Sequence, residues 1–311
     1  MTDQSTVTFS PGLQNATGKI PYLLSNDIIF HCAAQQSEEF LNRLISDFSG
    51  IPIEQIKSVK VLNPIDYRTY TAKEIILDLK VELDDHHIYN FEIQLRLAFN
   101  SKWWINRSLL YLCRSYDNLK SGNDYEDILP ATQISIVKED FFPDEPPEFF
   151  AEYMFLNTRT HAPYTSHFKM NVLYLNHIDL ATQEDIDKGL VIWAKLFQTD
   201  TWEELRRLIL EHPDYKEVAE TMFYVDADTS ARSIAEAHEK YLHDVASIKA
   251  QARREGLAEG RAEGLAEGHK EGHNEGLKEG YQKAQNELKE ADIKIEKLRQ
   301  KLIAAGISPD E

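Results

Sequence analysis

Asp78 and Glu92 are the residues whose type and spacing most directly suggest chemistry. They lie in two neighbouring stretches, 75–83 and 88–97, joined by the polar link Asp84-Asp85-His86-His87. In the first stretch Ile75, Leu77, Leu79, Val81 and Leu83 alternate with Glu74, Ile76, Asp78, Lys80 and Glu82. In the second, Tyr89, Phe91, Ile93, Leu95 and Leu97 alternate with Ile88, Asn90, Glu92, Gln94 and Arg96. Alternation of this kind predicts two strands, each with one buried face, and the short polar link predicts a hairpin turn. With Asp84 to His86 as the loop, Leu83 pairs with His87 and Asp78 falls opposite Glu92. Opposed side chains have β-carbons about 5 Å apart, a separation at which two carboxylates repel. A hard divalent cation between them removes that cost. The competing reading is a solvated sheet face on which Lys80 and Arg96 balance the acids.

Other constellations carry less. His86-His87 beside Asp84-Asp85 has the residue types of a metal cluster, but a hairpin turn accounts for it. His269 and His273 stand four apart on a predicted helix with no third ligand in view, as on a solvated helix face. No glycine-rich phosphate loop follows a strand, and no Gly-x-Ser-x-Gly or Cys/His pairing points to acyl chemistry. Basic residues that could meet phosphates follow the hairpin: Arg96, Lys102, Arg107, Arg114 and Lys120. A solubilising helix surface would use the same residues.

These side chains need a frame. The chain has 311 residues, 42% hydrophobic and 10% aromatic, enough for one sizeable domain with an appendage. The net charge of −18 argues against indiscriminate nucleic-acid binding, so any phosphate contact requires a local basic patch. From Gln251 onward there are 11 basic and 13 acidic residues; the body before it has 23 basic and 39 acidic. The polar first twenty residues predict no signal peptide, and no apolar run approaches the roughly 20 residues that span a bilayer. Two cysteines, Cys32 and Cys113, fit a reducing cytoplasm and are expected to act as small core residues.

Residues 1–24 are expected to be a loose leader. Apolar spacing over 26–49 predicts two helices, ended by Gly50 and Pro52. A short strand over 57–62 precedes the hairpin. A helix over 101–120 can place Trp104, Ser108, Tyr111, Leu112, Ser115 and Leu119 on one face, with Gly122 closing it. Residues 131–137 read as a strand, 151–156 and 169–174 as further strands, and 184–242 as helical. The expected division is a domain over 25–180, a helical region over 181–250 and a tail over 251–311.

In the tail Glu-Gly recurs every four residues, seven times between Glu255 and Gly280. Glycine costs a helix about 1 kcal/mol per site relative to alanine, so seven weaken it. A four-residue period drifts about 40° per repeat against about 100° per residue, so the glycines trace a winding stripe. A solvated helical spacer and close helix–helix approach in an oligomer are both compatible with it. From Tyr281 to Ala304, Ala284, Leu288, Ala291, Ile295, Leu298 and Leu302 form a short coiled-coil pattern, predicting a homo-oligomer through this C-terminal helix.

Helix, three strands, helix and strand, with Asp78 and Glu92-Ile-Gln94, resemble the PD-(D/E)xK nuclease superfamily. The likeness is greatest to its Rpn-type branch of recombination-promoting nucleases and transposases. The stretches that carry it are Asn26-Asp-Ile-Ile-Phe30, Ile76-Leu-Asp-Leu-Lys80, Phe91-Glu-Ile-Gln-Leu-Arg96, Arg107-Ser-Leu-Leu-Tyr111 and Lys120-Ser-Gly-Asn-Asp-Tyr125. A C-terminal Glu-Gly repeat is also frequent in that branch. The resemblance implies a restriction-endonuclease-like α/β core and a metal-dependent endonuclease acting on double-stranded DNA. Asp78, Glu92 and Gln94 would be catalytic, with Mg²⁺ held by Asp78, Glu92 and the Ile93 carbonyl. Such a metal would activate water and neutralise charge on the scissile phosphate. Asp27 is either a further acid or a cap for the helix that starts at Ile28. Arg96, Lys102 and Arg107 would meet DNA. Gln94 stands where the superfamily has lysine, and His31 where a basic residue follows Phe30. A neutral amide can position water but not deprotonate it; Lys80 could supply the missing charge. A second reading keeps the fold for DNA or protein binding without catalysis.

Overall fold

A computed structural model describes residues 7–65, 78–84, 86–95, 101–142 and 144–306. These divide between Tyr241 and Leu242 into two compact units.

The first unit is built on a six-stranded sheet in the order β1-β2-β3-β4-β6-β5. Its strands are β1 (Val59–Val61), β2 (Leu79–Leu83), β3 (His87–Gln94), β4 (Ala131–Val137), β5 (Phe150–Met154) and β6 (Phe168–Tyr174). β1, β2 and β3 are antiparallel neighbours, whereas β3, β4 and β6 run parallel. A parallel pair requires a crossover, and helix α4 (Ser101–Tyr116) supplies it between β3 and β4. The element order is the helix, three strands, helix, strand of a PD-(D/E)xK core.

Two helices, α2 (Asp27–Gln36) and α3 (Glu38–Ser49), cover one face of the sheet. Phe30 and Phe48 meet Phe91 of β3 at ring-centroid distances of 6.1 and 5.4 Å. Burying an aromatic ring of this kind contributes about 1.5–3 kcal/mol, so the Phe30–Phe40–Phe91–Phe197–Trp193 cluster anchors the unit. α3 ends where expected: Gly50 adopts φ 75°, a left-handed conformation, and its N–H donates to the Ser46 carbonyl at 2.9 Å.

The opposite face of β3 and β4 is polar yet buried. Asn90, Glu92, Gln133 and Ser135 lie beneath α4, whose inward stripe is Trp104, Ser108, Leu112 and Ser115. The solvated-face alternative therefore does not hold here; a crossover helix lies over the polar side of β3 and β4. Tyr111 is only partly buried. Cys113 is exposed and Cys32 buried, which corrects the expectation of two core cysteines, since Cys113 lies off the stripe of α4. α4 also stops at Tyr116, short of 120. There Asn118 takes over, accepting from the Leu129 N–H at 2.9 Å and donating to the Leu129 carbonyl at 3.0 Å.

The leader is not loose over 7–24. Helix α1 (Pro11–Asn15) is capped by Ser10, whose hydroxyl donates to Glu220 at 2.6 Å. Phe9, Leu13, Ile20 and Leu24 are all buried in the core. Further along come α5 (Gln183–Asp187), α6 (Leu190–Gln198), α7 (Trp202–Glu211) and α8 (Lys216–Ala227). Helix α9 (Thr229–Ala304) buries Ala231, Ile234, Ala235 and His238 in its first turns, and every described residue over 251–306 is exposed. Among the described residues no helix is long and apolar enough to cross a membrane.

Candidate metal centre

The hairpin register places the two acids. Leu83 pairs with His87 and Leu79 with Phe91, the register the loop length predicts; Asp78, the residue just before β2, continues it toward Glu92. Residues 75–77 and Arg96 lie outside the described residues. Asp78 is 7% and Glu92 2% exposed. Asn63 fixes the Asp78 peptide: its Nδ2 donates to the Asp78 carbonyl at 2.6 Å, and its Oδ1 accepts the Lys80 N–H at 2.8 Å.

Asp27 belongs to the same neighbourhood. The cap of α2 is Asn26, whose Oδ1 accepts from the N–H groups of Ile28 and Ile29 at 3.0 and 3.3 Å. Asp27 is therefore the first helical residue and not the cap, which corrects the expectation and leaves its carboxylate available to the site.

Burial pushes Glu92 up to about 7; Arg107 opposes this and the Asp78 charge adds to it. Asp27 rises to about 8, chiefly through burial, with Glu92 adding and Arg107 opposing. Asp78 is also raised by burial, offset by hydrogen bonds including one from Asn90 and by the charges of Arg107 and Lys80. Lys80 is lowered by burial against the pull of Asp78. The site thus gathers carboxylates that resist ionising together, with too little positive charge around them.

The nearest cation to Glu92 is Arg107, with Nε 2.8 Å from Oε1. The contact is one-armed: it is close enough to act as a hydrogen bond that lowers the Glu92 pKa, but the Nε–H is off-axis, and Glu92 Oε2 has no hydrogen-bond partner. Glu92 is consequently under-coordinated, with Oε2 unpartnered and Oε1 met by one off-axis donor. An all-oxygen set with one under-coordinated carboxylate fits a hard divalent cation, and Mg²⁺ in particular uses one or two carboxylates and keeps several waters. Among the described residues no group of three or more His, Cys, Asp or Glu side chains is placed to hold a metal unaided. Ile93 turns its side chain to the apolar face, so only its backbone can serve the site. Gln94 follows one pleat beyond Glu92 on the same face.

Residues 26–252 match the model of the PD-(D/E)XK nuclease family transposases. The chain belongs to this family. No curated protein and no solved structure matches it. The match spans α2, the whole sheet and the opening turns of α9, so in this PD-(D/E)XK chain it contains every residue of the acidic centre.

Other predicted residues are placed differently. Lys102, Arg114 and Lys120 are exposed, whereas Arg107, expected to meet DNA, turns toward Glu92. His31 is buried and held neutral, its pKa lowered to about 4 by burial. Asp84 is a structural staple with φ 51°, accepting from the Lys57 and Ser58 N–H groups at 2.9 and 2.6 Å. His87 bonds Thr132 at 2.9 Å. The turn therefore accounts for Asp84, and a cross-strand contact to β4 for His87. Asn63 and Ser135, which stands beside Glu92 on β4, were not singled out by the sequence; only the Asn63-Pro64 pair, a turn signal, marks the first.

Proposed function

We propose that this PD-(D/E)XK chain is a divalent-cation-dependent endonuclease acting on double-stranded DNA in the cytoplasm, with Mg²⁺ as its cation. Asp78, Glu92 and the Ile93 carbonyl would hold the cation, with Asp27 a nearby acid outside that set of ligands; Asp78, Glu92 and Gln94 would be the catalytic set. The observation that carries this reading is the buried Asp78–Glu92 pair, with Glu92 Oε2 lacking a hydrogen bond and Oε1 met only by the off-axis Arg107 Nε–H. Bound Mg²⁺ would neutralise charge on the phosphate and lower the pKa of water.

The chain's own residues do the rest. Asp78 and Glu92 fix where the phosphate must lie, on the covered polar side of the hairpin. The Gln94 amide donates and accepts hydrogen bonds and so orients the attacking water, but it takes no proton. Lys80, whose charge is less costly to lose than that of an ordinary lysine, sits on the same face and can approach the phosphate. Lys102, and Arg96 beyond the described residues, would grip the DNA backbone. Residues 25–180 would form the nuclease domain, 181–250 a helical support, and 251–311 a tail joining copies of the chain.

Nicking of supercoiled plasmid tests the proposal. The native chain should nick with Mg²⁺ and stop with chelator, while Asp78→Asn and Glu92→Gln should each lose activity by at least about 100-fold. No nicking by the native chain, or equal nicking by the variants, refutes it. DNA binding that ignores both metal and substitution would instead favour a non-catalytic binding role.

A further inference from the structure

The Arg107 guanidinium is the cation set against Glu92, and several features leave that pairing incomplete. Its Nε stands 2.8 Å from Glu92 Oε1, but without hydrogen-bond alignment. Glu92 Oε2 accepts nothing. Arg107 itself is 25% exposed, so its head has an open side. It also lies between two aromatic rings on its own helix, one turn before and one turn after: Trp103 at 5.3 Å and Tyr111 at 5.1 Å. Guanidinium stacks favourably on such faces and is weakly hydrated, so it can leave Glu92 without losing its aromatic contacts. A well-made buried ion pair would have bidentate geometry and satisfied oxygens; this pair has neither.

We propose that Arg107 is a built-in counter-ion of the candidate metal centre, which a divalent cation displaces from Glu92, turning the guanidinium outward along Trp103 and Tyr111 to where it can meet a DNA phosphate. The inference rests on the metal reading of Asp78 and Glu92 and adds a competitor to it. Arg107 keeps the centre closed to weakly held cations and couples cation loading to exposure of a phosphate-binding group.

The sign of the effect separates this role from a supporting one. Were Arg107 merely orienting Glu92 for the metal, removing it would weaken metal binding. As a competitor, its removal must strengthen it. Mn²⁺ titration of the full chain without DNA, by calorimetry or electron paramagnetic resonance, reads this directly. Arg107→Gln is expected to bind Mn²⁺ about tenfold more tightly than the native chain, and Arg107→Lys, which keeps the charge, to stay near native. Equal or weaker binding by Arg107→Gln overturns the inference.

Should Arg107→Gln not fold, the native chain still answers. With ¹⁵N-labelled arginine, the Nε–H resonance absent from the Arg107→Lys spectrum should shift on adding Mg²⁺, and an unmoved resonance overturns the proposal. Glu92→Gln separates the two readings. Mn²⁺ binding that is lost in Glu92→Gln but not strengthened by Arg107→Gln sinks only the counter-ion role. No Glu92-dependent binding at all sinks the metal reading and this inference with it.

Discussion

Asn63 holds Asp78 by its peptide and not by its carboxylate: Nδ2 donates to the Asp78 carbonyl at 2.6 Å, while Oδ1 takes the Lys80 N–H at 2.8 Å. β1 ends at Val61 opposite Val81, and the Leu62 N–H still donates to the Lys80 carbonyl at 2.8 Å. Beyond that point a side chain takes the place of a missing strand neighbour beside Asp78, just before β2. Asn63→Ala should cost about 1–2 kcal/mol of stability by leaving two backbone groups unpaired. It should weaken Mn²⁺ binding more than a generic destabilisation would, because the Asp78 backbone is freed. Urea unfolding and metal titration on one preparation check both. An unchanged urea midpoint would show that the bridge contributes nothing.

The raised acids give a pH signature. Glu92 ordinarily titrates near 4.5 and here near 7, and Asp27 moves from 3.8 to about 8. The folded chain therefore holds more protons than the unfolded chain between those values, so these two acids make stability fall as pH rises through the window. His31 and His87, both lowered from 6.5 to about 4, act oppositely, but only below about pH 6.5. Above about pH 6.5 those two histidines no longer oppose the acids. The metal-free chain should lose thermal stability from pH 6.5 to 8, Glu92→Gln should flatten the fall, and Mg²⁺ should reverse it. A native melting temperature that rises from pH 6.5 to 8 contradicts the assignment.

A second buried carboxylate has the opposite, fully structural character. Asp47 Oδ2 accepts from the Trp193 indole N–H at 2.8 Å and from the Tyr215 hydroxyl at 2.6 Å, tying α3 to α6 and to the turn before α8. Asp47→Ala orphans both buried donors and should cost roughly 2–4 kcal/mol. Gly189 belongs to the same knot. It has φ 80°, and a β-carbon there would stand 2.0 Å from the Tyr215 hydroxyl oxygen. Gly189→Ala must therefore both strain its backbone and push Tyr215 off Asp47, costing at least about 2 kcal/mol. Chemical unfolding measures each; a loss below 0.5 kcal/mol for either, far under the about 2 kcal/mol expected, would show that the knot relaxes freely.

The hairpin was legible because its information is local. Period-two alternation and a short polar loop determine both faces and the register, and Leu83 does pair with His87. The paired helices before it and the strands at 131–137 and 168–174 carry equally regular apolar spacing. What covers the polar face is not local. Nothing near Asn90 or Glu92 reveals that α4 will lie across them, and the same alternating pattern serves a solvated sheet. The leader was missed for a related reason: Phe9, Leu13, Ile20 and Leu24 are spaced too irregularly to mark an element, and they gain meaning only against α7 and α8. Arg107 read as one more surface cation, because a sequence does not show which way a helix turns its arginine.

The Glu-Gly repeat offers a test of the tail. A β-carbon added at Gly256, Gly260, Gly264, Gly268, Gly272, Gly276 or Gly280 meets nothing within 4 Å, so within one chain alanine is sterically free at all seven. Each replacement should favour the helix by about 1 kcal/mol. Circular dichroism of the seven-fold Gly→Ala chain should then show more helix and a tail that melts later. Glycine stripes matter when two helix backbones approach closely, which alanine would hinder at some of the seven positions. If copies of the chain assemble through the glycine stripe, the seven-fold variant should lose mass in light scattering. If assembly uses Leu288, Ile295, Leu298 and Leu302, which are all exposed here, mass should survive those changes and fall with Leu288→Lys and Ile295→Lys. A monomeric native chain whose mass neither set of changes alters would leave the tail as a solvated spacer and remove oligomerisation from its role.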